Sequence, residues 1–211
     1  MPWPMVHFSI GFELFNNCPS PAFLLGSIAP DVVLVREQDE ADKGKSHLSE
    51  TGEPASINVL EDFFRECTGL NNNEEYKQFI FGYISHIYAD IKWVYRKREI
   101  SQESYKNLRE LLWQEENQID FDLYGAVSWR NEIFNTITEA TTFEIDDIYT
   151  TTELNLWRRQ LFRWLDNKDN DPQIVPVYLT RFVVEEFIKT TSEELKNLYS
   201  KLYLKEDMNI R

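Results

Sequence analysis

The chain has 211 residues, 42% hydrophobic and 14% aromatic, and a formal net charge of −14 at neutral pH. That composition excludes a disordered chain and suffices for one domain with a sizeable core. The negative charge disfavours nucleic acid and anionic membrane as steered partners, and no apolar run reaches the roughly 18–20 residues of a membrane-spanning helix.

Helical signals dominate from the start. Pro4 suits the first turn of a helix carrying Met5, Phe8, Phe12 and Phe15, which Asn16-Asn17 and Pro19 end. Ser20-Pro21 reads as an N-cap followed by proline at the first helical position, and Gly26 interrupts that short segment. Residues 36–55 are polar, carry Gly44, Gly52 and Pro54, and read as a long loop with His47 inside it. Ser56 to Cys67 is a predicted helix with Ile57, Leu60, Phe63 and Phe64 on one face. Glu74 to Arg98 is a longer one, with a stripe of Phe79, Tyr83, His86, Asp90, Trp93 and Val94 at spacings of three and four.

Ser101 is expected to cap a further helix through Leu108, Leu111 and Leu112 towards Ile119 or Leu123. Weaker helical patterns cover 130–140 and 152–165, Asp166 to Pro172 reads as a turn, and a last helix is expected from Val175 to Leu204. Thr141 to Thr152 is β-branched and ambiguous. The whole reads as an all-α chain, residues 1–211 forming a single helical domain.

Cys18 and Cys67 are the only cysteines, which makes neither a disulfide framework nor a zinc-finger spacing. The opening Met-Pro-Trp-Pro-Met-Val-His has no basic stretch followed by an apolar one, so the expected location is the cytoplasm, with reduced thiols. There is no glycine-rich phosphate loop and no Gly-x-Ser-x-Gly elbow. Asp166 to Asp171 resembles the start of a calcium loop but lacks its central glycine and closing glutamate.

The histidines are more telling. His7, His47 and His86 interleave with Asp31 and Asp90, and no histidine follows. Imidazole and carboxylate are the usual nitrogen and oxygen ligands of zinc, which makes residues 1–95 the candidate functional half. His86 and Asp90, four apart on a helix, share a face about 5–6 Å apart at Cβ. That face is apolar, so Asp90 needs compensation: a metal ion, a plain His–Asp hydrogen bond, or a lysine such as Lys97. Taken singly, His7 fits an ordinary core or surface histidine, Asp31 a turn aspartate after Pro30, and His47 a solvated loop histidine. The case rests on the set.

Four segments carry a family resemblance: Met5-Val6-His7-Phe8; Phe23-Leu24-Leu25-Gly26-Ser27-Ile28-Ala29-Pro30-Asp31; Ser46-His47-Leu48; and Phe81-Gly82-Tyr83-Ile84-Ser85-His86-Ile87-Tyr88-Ala89-Asp90. Over about residues 1–95 the chain resembles the zinc-dependent phospholipase C family, most closely its short, signal-less bacterial branch. The resemblance implies an all-helical fold of that type. It implies one zinc held by Asp31, His47, His86 and Asp90, and a second held in part by His7 and a shared Asp90.

In the secreted relatives a mature N-terminal tryptophan completes that second site, whereas Trp3 is internal here. Their third zinc uses two histidines and an acid beyond His-x-x-x-Asp. No histidine stands there in this chain, and Glu116 and Asp120, four apart within 115–122, are the candidate substitutes; a solvated acidic face is the alternative for that pair. Trp3, Tyr83 and Trp93 are candidates for a pocket above the metals.

The resulting expectation is a phosphodiester hydrolase acting through a metal-activated water, with one to two zinc ions and Asp31 doubling as base. Its partner would be a small phosphoester or phospholipid head group, with no nucleic acid and no stable membrane insertion. The competing expectation is a catalytically impaired metal-binding helical protein that binds a ligand or partner.

Overall fold

In the computed structural model, residues 4–36, 40–49, 53–101 and 108–208 are described. Among these residues nine α-helices follow in order: α1 (Pro4–Leu14), α2 (Pro21–Gly26), α3 (Glu40–Ser46), α4 (Ile57–Leu70), α5 (Glu74–Ser101), α6 (Arg109–Ala126), α7 (Arg130–Glu139), α8 (Thr151–Asp166) and α9 (Arg181–Met208). A 3-10 helix, Ala29–Val35, separates α2 from α3, and a shorter one, Lys168–Asn170, follows α8. The fold is all-α. Among the described residues the sole β feature is an isolated bridge, Ile145 to Tyr149, and no helix is long and apolar enough to cross a membrane.

The 28-residue α5 is the axis, packing against α1, α2, α4 and α9. Its crossing with α2 is close because two glycines face each other. A Cβ on Gly82 would strike the Phe23 carbonyl, and one on Gly26 would strike the Phe79 carbonyl. Only glycine permits that approach. Helix α1 buries Met5, Val6, His7, Phe8, Ile10, Gly11 and Leu14, so it is enclosed on nearly all sides. It ends where Asn16 and Asn17 take positive φ, 52° and 64°, a conformation asparagine tolerates better than most residues.

Several starts follow the sequence signals. Ser20 Oγ accepts from Phe23 N at 3.1 Å with Pro21 in the first turn of α2, and Ser56 caps α4. Thr150 and Glu153 form a reciprocal capping box at α8, so the ambiguous 141–152 stretch ends in a helix cap and not in a strand.

Three expectations are corrected. The 36–55 segment is not all loop, because α3 lies within it. Ser101, expected to cap the next helix, is instead the last residue of α5, and α6 runs from Arg109. Residues 175–180 are not helical: the Glu115 carboxylate accepts from the backbone N–H groups of Val177, Tyr178 and Leu179 at 2.8–3.0 Å, and Gln118 Oε1 accepts from Ile174 N at 2.9 Å. Pro172 and Pro176 disfavour helix there, and a buried carboxylate takes the donors that a helix would use internally.

Candidate metal centre

Four elements deliver five side chains to one buried place. His7 comes from α1, Asp31 from the 29–35 turn, His47 from the residue after α3, and His86 and Asp90 from one face of α5. The short α2–α5 approach matters here: it brings the Ser27 carbonyl to 2.8 Å from His86 Nδ1. That nitrogen must be the donor, so His86 Nε2 keeps its lone pair and points at the carboxylates. His47 leaves α3 through a tight reversal, with Leu48 at φ 54° and Ser49 N donating to the Gly44 carbonyl at 2.8 Å. Its Nδ1 lies 3.1 Å from the Lys43 carbonyl and 3.0 Å from Ser46 Oγ, which turns Nε2 inward.

The inward atoms surround a common space. His47 Nε2 is 3.5 Å from Asp31 Oδ1 and 3.5 Å from Asp90 Oδ2, while His86 Nε2 is 3.8 Å from Asp31 Oδ2 and 3.7 Å from Asp90 Oδ2. The other Asp90 oxygen, Oδ1, is 3.6 Å from His7 Nε2. The two oxygens of one carboxylate therefore face different histidines, Oδ2 facing His47 and His86 and Oδ1 facing His7. The His7 and His86 rings stack at 3.8 Å between centroids, tilted by 13°. Each of these separations is too long for a good hydrogen bond. Both His7 nitrogens, Asp31 Oδ1, His47 Nε2, His86 Nε2 and Asp90 Oδ1 are buried with no hydrogen-bond partner.

So many unpartnered buried nitrogens and oxygens in one spot are costly, and a bound cation would satisfy them. Two overlapping triads could hold an ion, His7–His86–Asp90 and Asp31–His47–His86, and the nitrogen and oxygen donors suit zinc.

Electrostatics agree with that sharing. Burial pushes Asp31 up, but His86 and His47 beside it outweigh burial and hold it below its ordinary value. Asp90 is likewise held low by His86, His47 and His7 against the effect of burial. Burial, then His86, lowers His7 to about 3. His47 goes the other way: burial lowers it, yet Asp31 and Asp90 together raise it to about 9.

The second acidic pair stands apart. Glu116 Oε1 accepts from Trp93 Nε1 and Lys97 Nζ, both at 2.6 Å, and Asp120 Oδ1 accepts from Met5 N at 2.9 Å. Neither falls in a group of three or more described residues that could hold an ion, and both are buried, so the pair is not a solvated face. Lys97, a candidate partner for Asp90, is bonded to Glu116.

Tyr83 and Trp93 are fully buried, and the Tyr83 hydroxyl donates to the Ser46 carbonyl. Trp3 lies outside the described residues. An open groove of about 920 Å³ instead lies between α3 and α4, lined in part by Lys45, Leu48, Val59, Phe63 and Ile148. No local pattern foretold it, because it depends on α3 and the 144–150 loop meeting α4.

A family model described as zinc dependent phospholipase C matches residues 6–141. The chain belongs to the zinc-dependent phospholipase C family. No curated protein and no solved structure gives a significant match.

Proposed function

We propose that this chain is a zinc-dependent phosphoesterase that hydrolyses a phosphodiester such as a phospholipid head group or another small phosphoester, acting in the cytoplasm. The convergence of four buried ligand side chains and the partly buried His47, with inward nitrogens and oxygens that have no hydrogen-bond partner, carries the reading. Asp31, His47, His86 and Asp90 would hold one ion, and His7 with the far oxygen of Asp90 part of a second. Glu116 Oε1 is taken by Trp93 and Lys97, so the reading includes no third site. Bound zinc would lower the pKa of a water towards about 7 and polarise the phosphoryl oxygen.

The chain's own residues do the rest. The Ser27 carbonyl fixes the His86 tautomer, and the Lys43 carbonyl orients His47. Asp31 stays ionised at neutral pH and accepts the proton of the attacking water. The water oxygen bonds to phosphorus as the bond to the leaving oxygen breaks, and that oxygen is protonated from solvent. The groove lined by Lys45 and Leu48, which flank the Ser46-His47 pair in the chain, is large enough for the organic part of a small substrate.

Elemental analysis of the protein beside a His86→Ala, Asp90→Ala variant tests the reading. About one to two zinc ions per chain are expected, lost in the variant, with phosphodiester hydrolysis lost alongside. No zinc even after titration would overturn it. Zinc without hydrolysis of any phosphoester in a broad panel would favour the second reading, a metal-binding module that has lost catalysis, to which the committed Glu116 also points.

A further inference from the structure

One guanidinium outside the metal centre joins the elements that build it. Arg36 is the residue at which the Asp31-bearing 29–35 turn ends. Its Nε and Nη2 take the two oxygens of Glu153 at 2.6 and 3.1 Å, Nη2 also donates to the Ile148 carbonyl at 2.7 Å, and Nη1 meets Asp42 Oδ2 at 3.1 Å. Glu153 is the capping-box residue of α8, and Asp42 lies on α3, five residues before His47. A single side chain thus ties the Asp31 turn, the His47 helix, the 144–150 loop and the start of α8.

Helix α3 needs such a tie. At seven residues it is too short to hold its shape unaided. Among the helices and turns it packs chiefly on the 29–35 turn. Its C-terminal end is fixed from inside by the Tyr83 hydroxyl on the Ser46 carbonyl. Its N-terminal half is fixed from outside by Arg36 on Asp42. The position of His47 relative to Asp31 and Asp90 depends on both.

We propose that Arg36 is a positioning residue of the metal centre, holding α3 against α8 so that His47 reaches the ion shared with Asp31. This rests on the metal-centre reading above. Isolated surface ion pairs contribute little to stability. Here the consequence is geometric, and metal affinity is sensitive to the groups that orient ligands, typically by about 10–100-fold. Lysine cannot replace the forked contact, because its ammonium is a single point charge.

The test is zinc affinity by competition with a chromophoric chelator, and the visible absorption of the cobalt-substituted protein, for wild type and for Arg36→Gln, Arg36→Lys and Asp42→Asn. Arg181→Gln, which loses only an exposed pair with Glu185, is the control. Arg36→Gln is expected to weaken zinc binding about 10–100-fold and to change the cobalt spectrum. Arg36→Lys should recover only part of the loss. Asp42→Asn, which touches one exposed contact and leaves the α8 anchor intact, should weaken binding in the same direction, with no further loss in the Arg36→Gln, Asp42→Asn double variant. Arg181→Gln should match wild type.

Wild-type affinity and spectrum in both Arg36→Gln and Asp42→Asn would overturn the inference, as would a lowered melting temperature with an unchanged spectrum. A wild-type protein that binds neither zinc nor cobalt would instead remove the metal-centre reading itself, and the inference with it.

Discussion

Asp120 is a carboxyl that the fold keeps from water. Burial raises it well above its ordinary value of 3.8 against the opposing pull of the Met5 N–H, and Oδ2 has no partner. A raised acid binds its proton in the folded state where the unfolded chain has released it. Its stabilising contribution is therefore complete below the unfolded value and is lost as pH rises towards the folded one. Asp120→Asn keeps an acceptor for Met5 N and cannot ionise. Its melting temperature should equal that of wild type near the ordinary value of 3.8 and exceed it increasingly as pH rises from there towards the raised value of the folded state; a flat difference would refute this account.

His47 gives a second pH signature. Raised to about 9 between Asp31 and Asp90, it carries a proton at neutral pH when no ion is bound. Zinc uptake at pH 7 should then release about one proton, fading above pH 9, as read by calorimetry in buffers of different ionisation enthalpy.

Individual ligand candidates were legible in the sequence because imidazole and carboxylate carry their chemistry with them. The solvated face offered for Glu116 and Asp120 fails because a four-residue spacing fixes a shared helix face and not what that face meets. What it meets is Lys97, Trp93 and Met5, on α5 and α1.

At the scale of elements, two contacts should dominate stability. Glu115 is fully buried, and its carboxylate holds the backbone of Val177, Tyr178 and Leu179 ahead of α9. Glu115→Ala leaves those donors unpaired and should cost about 2–4 kcal/mol, seen as a lower denaturant midpoint. Gly82→Ala forces a methyl group into the Phe23 carbonyl across the α2–α5 crossing. It should cost about 3 kcal/mol or more. It should also loosen the Ser27–His86 contact, so zinc binding should weaken with it.

Helix positions followed from capping residues and apolar spacing, as at Ser20 and Ser56. Helix α3 and the delayed start of α9 did not. Short helices are set by tertiary anchors rather than propensity, and the 175–180 segment is extended because a glutamate some 60 residues earlier takes its N–H groups.

For the whole molecule, an ion bound by the folded state alone links metal to stability. At a zinc concentration about 100 times the dissociation constant the gain is about 2.7 kcal/mol, which for a chain of this size is a rise of about 5–10 °C in melting temperature. Chelation should reverse it, and the His86→Ala, Asp90→Ala variant should show no response to zinc in differential scanning calorimetry. The charge of −14 adds to that dependence, because a dication relieves the repulsion among the buried carboxylates.

By itself the sequence determined the all-α class, most helix starts and the family, through side-chain types at fixed spacings: His86 and Asp90 on one face, Gly26 and Gly82 within the family segments. The tertiary structure alone decided which acids share space with the histidines. Asp31 and Asp90 face one another across His47 and His86, whereas Glu116 faces a lysine. The physical reason is that spacing along a helix sets direction, while the partner of a buried charge is chosen by packing between elements far apart in the chain.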